Sequence, residues 1–124
     1  YSYRAESFDH VVCVGVLSFL RDPSPVFAET ARVLKPGGTF AFVTGDRTEE
    51  ENFELLVGPE YTKTDESMTM YRHSGGQVAE LIESVGLELL RSLSFTCYMD
   101  RKKTRILRAK CYVVQKPPSN ERSA

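Results

Sequence analysis

The chain has 124 residues, a formal charge of −1 at pH 7, 41% hydrophobic residues and 27% charged ones. That length suits one small domain with one core, and the near-neutral balance gives no general attraction to nucleic acid or an anionic membrane. Three widely spaced cysteines, Cys13, Cys97 and Cys111, include no C-x-x-C pair, so neither a metal site nor a disulfide framework is expected. They read as reduced, mostly buried thiols in a cytoplasmic protein. No apolar run approaches the roughly 20 residues of a membrane span. The opening "YSYRAESFD" has neither the basic start nor the apolar block of a signal peptide. The chain does not begin with Met, which suggests a fragment or a processed piece.

The first element is Phe8 to Leu17, "FDHVVCVGVL". It is apolar without clean alternation, as a strand covered on both faces would be; His10 within it is read as core packing, and Asp9 as a strand-start cap. Next, Asp22 is an N-cap and Pro23 a first-turn proline. Phe27, Thr30, Ala31 and Leu34 then mark one face of a helix. Pro36 stops that helix, and Gly37-Gly38 allow a sharp reversal. Thr39 to Thr44, "TFAFVT", reads as a second buried strand. Strand, helix, tight turn and strand make a βαβ unit with parallel strands.

Residues 46–66 are acidic and read as a mobile surface excursion, with one short helical turn at Phe53–Val57. Residues 67–74 form a short extended segment. Ser74 and Gln77 make a capping box for a helix over 75–85, carried by Val78, Leu81, Ile82 and Val85 and stopped by Gly86. From Leu87 the period becomes 2, placing Leu87, Leu89, Leu93, Phe95 and Cys97 on one face. Leu107, Ala109, Cys111 and Val113 repeat the pattern, so 87–116 is expected to be an antiparallel hairpin. Arg101, Lys102, Lys103, Arg105, Arg108 and Lys110 read as a solvated basic hairpin and not an RNA site. Residues 117–124 are expected to be disordered.

The stretch "FDHVVCVGVLSFLRDPSPVFAETARVLKPGGTFAFVT" resembles the second half of the class I, S-adenosylmethionine-dependent methyltransferases. Carrying the resemblance are the Phe-Asp that opens a buried strand and the helix ending in Arg-Val-Leu-Lys-Pro-Gly-Gly before another strand. More weakly, "YRHSGGQVAELIESVGLELL" is similar to a segment of some methyltransferases of this type. The resemblance implies an α/β fold: residues 1–116 as the carboxyl-terminal half of a Rossmann-like sheet, with parallel strands and a terminal antiparallel hairpin. Of the family's strand order 3-2-1-4-5-7-6 it implies only 4-5-7-6. The family's glycine-rich loop and ribose-binding carboxylate lie upstream of the matched region. No G-x-G-x-G occurs in this sequence.

Several expectations follow from the resemblance. The cofactor is S-adenosylmethionine, lying across the carboxyl ends of the strands. Cys13, Val14, Gly15 and Leu17 form the floor of its site, and Glu6 belongs to the pair that meets the adenine. Asp46, Tyr71 and Arg72 wall the acceptor site, and His73 is a candidate base. The acceptor is a small molecule or a protein, not identifiable from the sequence; neither membrane nor nucleic acid is expected as a partner. Strand 8–14 would leave an edge bare for the missing amino-terminal half-domain or for a second chain. The isolated chain is expected to be inactive. Two alternatives stand beside the enzyme. One is a non-catalytic binding or dimerisation module derived from such a half-domain. The other is a different nucleotide-binding protein such as a dehydrogenase, which the Arg-Val-Leu-Lys-Pro-Gly-Gly joint disfavours.

Overall fold

The computed structural model describes residues 3–57, 68–99 and 106–118. In chain order the elements are β1 (Phe8–Cys13), a 3-10 turn (Leu17–Phe19), α1 (Ser24–Val33), β2 (Leu34–Gly45), β3 (Glu54–Val57), β4 (Met68–Tyr71), α2 (Gly75–Ser84), β5 (Glu88–Met99) and β6 (Ile106–Gln115). One four-stranded sheet has the order β1-β2-β6-β5, and β3 with β4 forms a separate pair. β1 runs parallel to β2, while β2–β6 and β6–β5 are antiparallel. The βαβ unit and the terminal hairpin are therefore as expected.

The joint between α1 and β2 shows why its sequence is so specific. Gly37 sits at φ +85°, a left-handed angle that favours glycine. A Cβ on Gly38 would stand 2.9 Å from the carbonyl oxygens of both Asp9 and Lys35, so only glycine lets β1 and β2 approach here. Gly37 donates its N–H to Lys116 O at 2.8 Å, and Lys116 N–H donates to Gly38 O at 2.9 Å. The Lys116 ammonium also donates to Ala31 O and Leu34 O at 2.8 and 2.9 Å. The last carbonyls of α1 would otherwise lack partners, and a cation suits that end of the helix dipole. The turn is thus pinned by the far end of β6.

At its start, α1 differs by one residue from the expectation. Pro23 occupies the N-cap position, and Asp22 acts from one residue earlier, accepting from Ser24 N–H at 3.0 Å and from the Ser24 hydroxyl. For α2 the expected device is present: Ser74 and Gln77 form the reciprocal capping box, and Gly86 follows the helix at φ +75°.

The core lies on one face of the sheet only. Phe40 and Phe42 of β2, Tyr112 and Val114 of β6, Phe27 of α1, Val78 and Ile82 of α2, and Leu17 all pack there. Phe27 meets Phe40 and Phe42 edge-on at 5.5 and 4.9 Å, and Phe42 stacks on Tyr112 at 5.1 Å. Offset and edge-on ring pairs add about 0.5–1.5 kcal/mol each beyond their burial.

The opposite face has no layer over it among the described residues. Strand pairing places Val12, Ala41, Val113, Cys111 and Leu93 on it, with Val12 70% and Leu93 67% exposed. Two expectations are corrected here. β1 is not covered on both faces, and His10 is not a core residue: it is exposed on the bare face, its Nδ1 2.8 Å from Thr39 Oγ1. Nor do Leu87, Leu89, Leu93 and Phe95 share a face. The register of β5 against β6 shifts between Leu89 and Arg91. One extra residue reverses the side-chain phase, leaving Leu87 buried and Leu93 and Phe95 on the uncovered side.

A third correction concerns the expected helical turn at Phe53–Val57. Residues Glu54–Val57 are instead a strand paired antiparallel with Met68–Tyr71. Residues 58–67, 100–105, which hold most of the basic cluster, and 119–124 lie outside the described residues. No helix among those described is long and apolar enough to cross a membrane.

Candidate functional site at the carboxyl ends of β1 and β2

Because β1 and β2 are parallel, both deliver their following loops to the same rim of the sheet. Beyond β1 the chain turns at Gly15, φ +77°, where nothing lies within 4 Å of the place a Cβ would occupy. Glycine is needed there for the backbone angle, and the bare backbone faces open space. Val14, Val16 and Phe19 stand exposed around it. Ser18 ties this turn to its neighbour by accepting the Gly45 N–H at 3.0 Å.

The loop after β2 is organised around Arg47. Its Nε donates to Arg72 O at 3.0 Å, Nη1 to the carbonyls of Thr48 and Glu51 at 3.2 Å each, and Nη2 to Gln77 Oε1 at 2.8 Å. One rigid guanidinium fork thereby fixes three segments. Asp46 Oδ1 accepts from Arg47 N–H at 2.9 Å. Arg72 is also occupied: Nε and Nη2 donate to Asn52 O at 3.1 and 2.8 Å, and Glu51 stands 3.8 Å from Nη1. The ring of Tyr71 lies 5.3 Å from Phe53, and the Arg21 guanidinium 6.0 and 5.8 Å from those two rings.

His73 sits beneath this rim, 2% exposed. Its backbone N–H donates to Gly45 O at 2.8 Å, and its ring meets Phe53 edge-on at 5.4 Å. Neither ring nitrogen makes a well-aligned hydrogen bond. Burial holds its pKa below the ordinary value and the Arg47 charge adds to that; the nearby carbonyls of Leu20 and Arg21 pull the other way. Burial likewise pushes the Cys13 thiol up, which keeps it protonated and a poor nucleophile at neutral pH. Tyr112 is pushed up to about 12 by burial and by the charge of Asp46. Glu51 is held below the usual carboxylate range, first by the Thr48 N–H and then by Arg108 and Arg72.

The expected residues divide as follows. Cys13, Val14 and Gly15 stand at the end of β1, Asp46 follows β2, and Tyr71 and Arg72, at the end of β4, are joined to the end of β2 by the Gly45–Arg72 bridge. Leu17 is fully buried in the core. Glu6 lies before the amino end of β1 at φ +54°, its carboxylate 3.9 Å from Lys116 Nζ. The six residues of β1 place it about 20 Å from Gly15, so it is not part of this cluster. Ser18, Arg21, Arg47 and Phe53 were missed by sequence reasoning. Gln77 was assigned only to the capping box, yet it also anchors Arg47; no spacing rule links positions thirty apart. Among the described residues, no group of three His, Cys, Asp or Glu side chains could hold a metal ion.

Comparison with known proteins bears on what this rim is. A family model described as "Methyltransferase domain" matches residues 1–42. The ubiquinone biosynthesis O-methyltransferase of Hahella chejuensis is 44% identical over 58 residues, 47% of this chain and 24% of that protein. The protein of the same name from Saccharophagus degradans is 30% identical over 97 residues, 73% of this chain and 40% of that protein. A SAM-dependent methyltransferase from Methanosarcina mazei superposes with a TM-score of 0.75 at 19% identity, covering 96% of this chain and 64% of that one. Residues 1–42 are similar in sequence to a methyltransferase domain, and the fold is similar to that of S-adenosylmethionine-dependent methyltransferases. The matches thus span well under half the length of these curated relatives.

S-adenosylmethionine is the cofactor of this family. The rim fits part of such a ligand. Gly15 presents open backbone, and exposed Val14 and Val16 offer an apolar surface suited to a purine or a sulfonium methyl group. No glycine-rich loop stands in these 124 residues, and the rim holds no carboxylate at the end of a strand before β1.

Proposed function

We propose that this chain supplies the acceptor-facing wall of an S-adenosylmethionine-dependent methyltransferase. The glycine-loop half of the site would be contributed by sequence outside these 124 residues. The single observation that carries the reading is the Gly15 turn: a left-handed glycine with open space before it, at the carboxyl ends of two parallel strands. When bound, S-adenosylmethionine supplies an electrophilic methyl carbon for in-line displacement. Such a transfer is governed chiefly by alignment. Gly15 and the backbone of Cys13 and Val14 would hold the cofactor's near side. Asp46, Tyr71 and Arg72 would shape the acceptor side. The relatives' names favour an oxygen acceptor, whose hydroxyl proton must leave as the O–CH3 bond forms and the C–S bond breaks.

The charges of Arg72 and Arg47 are already committed to loop carbonyls and Glu51. They serve to fix the wall and not to clamp an anionic acceptor. A completely buried His73 does not reach an acceptor proton directly, so its part in catalysis is indirect.

The test is a titration of labelled S-adenosylmethionine against the 124-residue chain, then against the chain joined to a first half bearing the glycine loop. The chain alone is expected to bind weakly or not at all, and the joined protein at ordinary cofactor affinity. Micromolar binding by the chain alone overturns the claim that the other half is required.

A second reading has its own support in the open edge of β1 and the bare sheet face: a non-catalytic module that associates through that surface. A tight homodimer of the chain, with no cofactor binding in either format, favours that reading.

A further inference from the structure

We propose that His73 is a pH-sensitive positioning residue that latches the loop after β1 to the loop after β2. The proposal rests on reading that rim as the acceptor wall, and its residues come from four segments. His73 is joined to the second loop by its N–H to Gly45 O at 2.8 Å and by the edge of Phe53 at 5.4 Å. On its other side a cavity of about 340 Å³ brings Arg21, Asp22 and Pro23 of the first loop together with His73 and the Gln77–Ser84 face of α2. The Leu20 and Arg21 carbonyls lie near the ring. The imidazole therefore lies between the two loops, beside a cavity that the first turns of α2 also line.

The charged groups around it explain the sensitivity. Arg21 is paired with Glu54 at 3.3 Å. Arg47 is spent on three carbonyls and Gln77. Asp22 is committed to Ser24. Glu80, on α2, lines the cavity but is exposed. An imidazolium in this place is 98% buried, beside a guanidinium, without a free buried counter-ion. Such a charge is costly. The neutral ring fits the closed arrangement, and the charged ring favours one in which the loops part and water reaches the nitrogens. The sign is fixed by the depressed pKa: the latch holds above pH 6.5 and weakens as pH falls below it.

The chain has only two histidines, so NMR titration with His10→Gln for assignment isolates the His73 signal. Its midpoint is expected below 6.5, the ordinary histidine value. Amide exchange of 45–57 and 16–23, corrected for chemical exchange, should accelerate more between pH 8 and pH 5 than that of β6. His73→Gln keeps a neutral hydrogen-bonding side chain and should show equal protection of both loops at the two pH values. A His73 midpoint at or above 6.5, or loops indifferent to pH, overturns the proposal. So does an unchanged pH response in His73→Gln; if that variant does not fold, the wild-type titration and exchange decide alone. No cofactor or acceptor enters these measurements, so their failure leaves the methyltransferase reading intact, and failed cofactor binding leaves the latch intact.

Discussion

The two faces of the four-stranded sheet carry similar residue types in opposite circumstances. On one, Phe40, Phe42, Tyr112 and Val114 lie under α1 and α2 with almost no exposure. On the other, Val12, Leu93 and Phe95 meet solvent. A sheet whose strands are apolar on both sides is built to be a middle layer. Among the described residues, a layer lies over one face only. Exposed contiguous apolar surface of this kind marks an interface or an aggregation liability, and among the described residues β1 adds an unpaired edge beside it.

The largest expected effect breaks the comparison from the covered side. Phe42→Ala removes a ring that packs on Phe27, Phe40 and Tyr112 at once, and should lower stability by about 3–5 kcal/mol. Val43→Ala, one residue on and on the other face, should cost well under about 1 kcal/mol. Urea unfolding of both variants checks the pair. Equal losses would show that the second face is covered in solution.

The joint between α1 and β2 comes next. Gly38→Ala places a methyl group against two backbone carbonyls at 2.9 Å. Backbone yields less readily than a side-chain tip, so about 1–3 kcal/mol is expected from overpacking. Gly37→Ala faces no crowding and should lose only the about 1–2 kcal/mol of a left-handed angle. Thermal unfolding of the two variants separates crowding from backbone strain. A harmless Gly38→Ala would mean that β1 does not press on the turn as described.

How legible all this was in the sequence depends on how local the cause is. The α1–β2 joint, the capping box at Ser74 and Gln77 and the terminal hairpin were legible because each is set by a few neighbouring residues. The face of β5 was not, since a one-residue bulge between Leu89 and Arg91 reverses the phase and leaves no composition signal. The strand Glu54–Val57 was lost inside an acidic segment, because its partner Met68–Tyr71 lies more than ten residues away. The apolar run of β1 signalled a strand, but the expected cover on both of its faces is not found, because a run of residue types cannot say what packs against it. The resemblance assigned Gly15 and Asp46 to a site, and both lie just past the carboxyl ends of β1 and β2. Arg47 was not, as its partners Arg72 and Gln77 are distant in sequence and adjacent only after folding.

The smallest expected effect on stability is the one that decides most about the bare face. Val12→Lys sets a charge at a position 70% exposed and at the open edge of the sheet. Within the chain it breaks no packing, so unfolding free energy should change by no more than about 0.5 kcal/mol. Association should respond very differently. A lysine on an edge strand is a device by which sheets avoid pairing with other chains. If this surface receives a glycine-loop half-domain or a second copy, the substitution should leave the monomer's melting curve in place while abolishing binding to either one. Sedimentation of the chain, alone and mixed with such a half-domain, measures this directly. A wild-type chain that stays monomeric and captures no half-domain would mean that the apolar face and edge of β1 are merely tolerated. Loss of stability in Val12→Lys would mean that a layer already lies over β1.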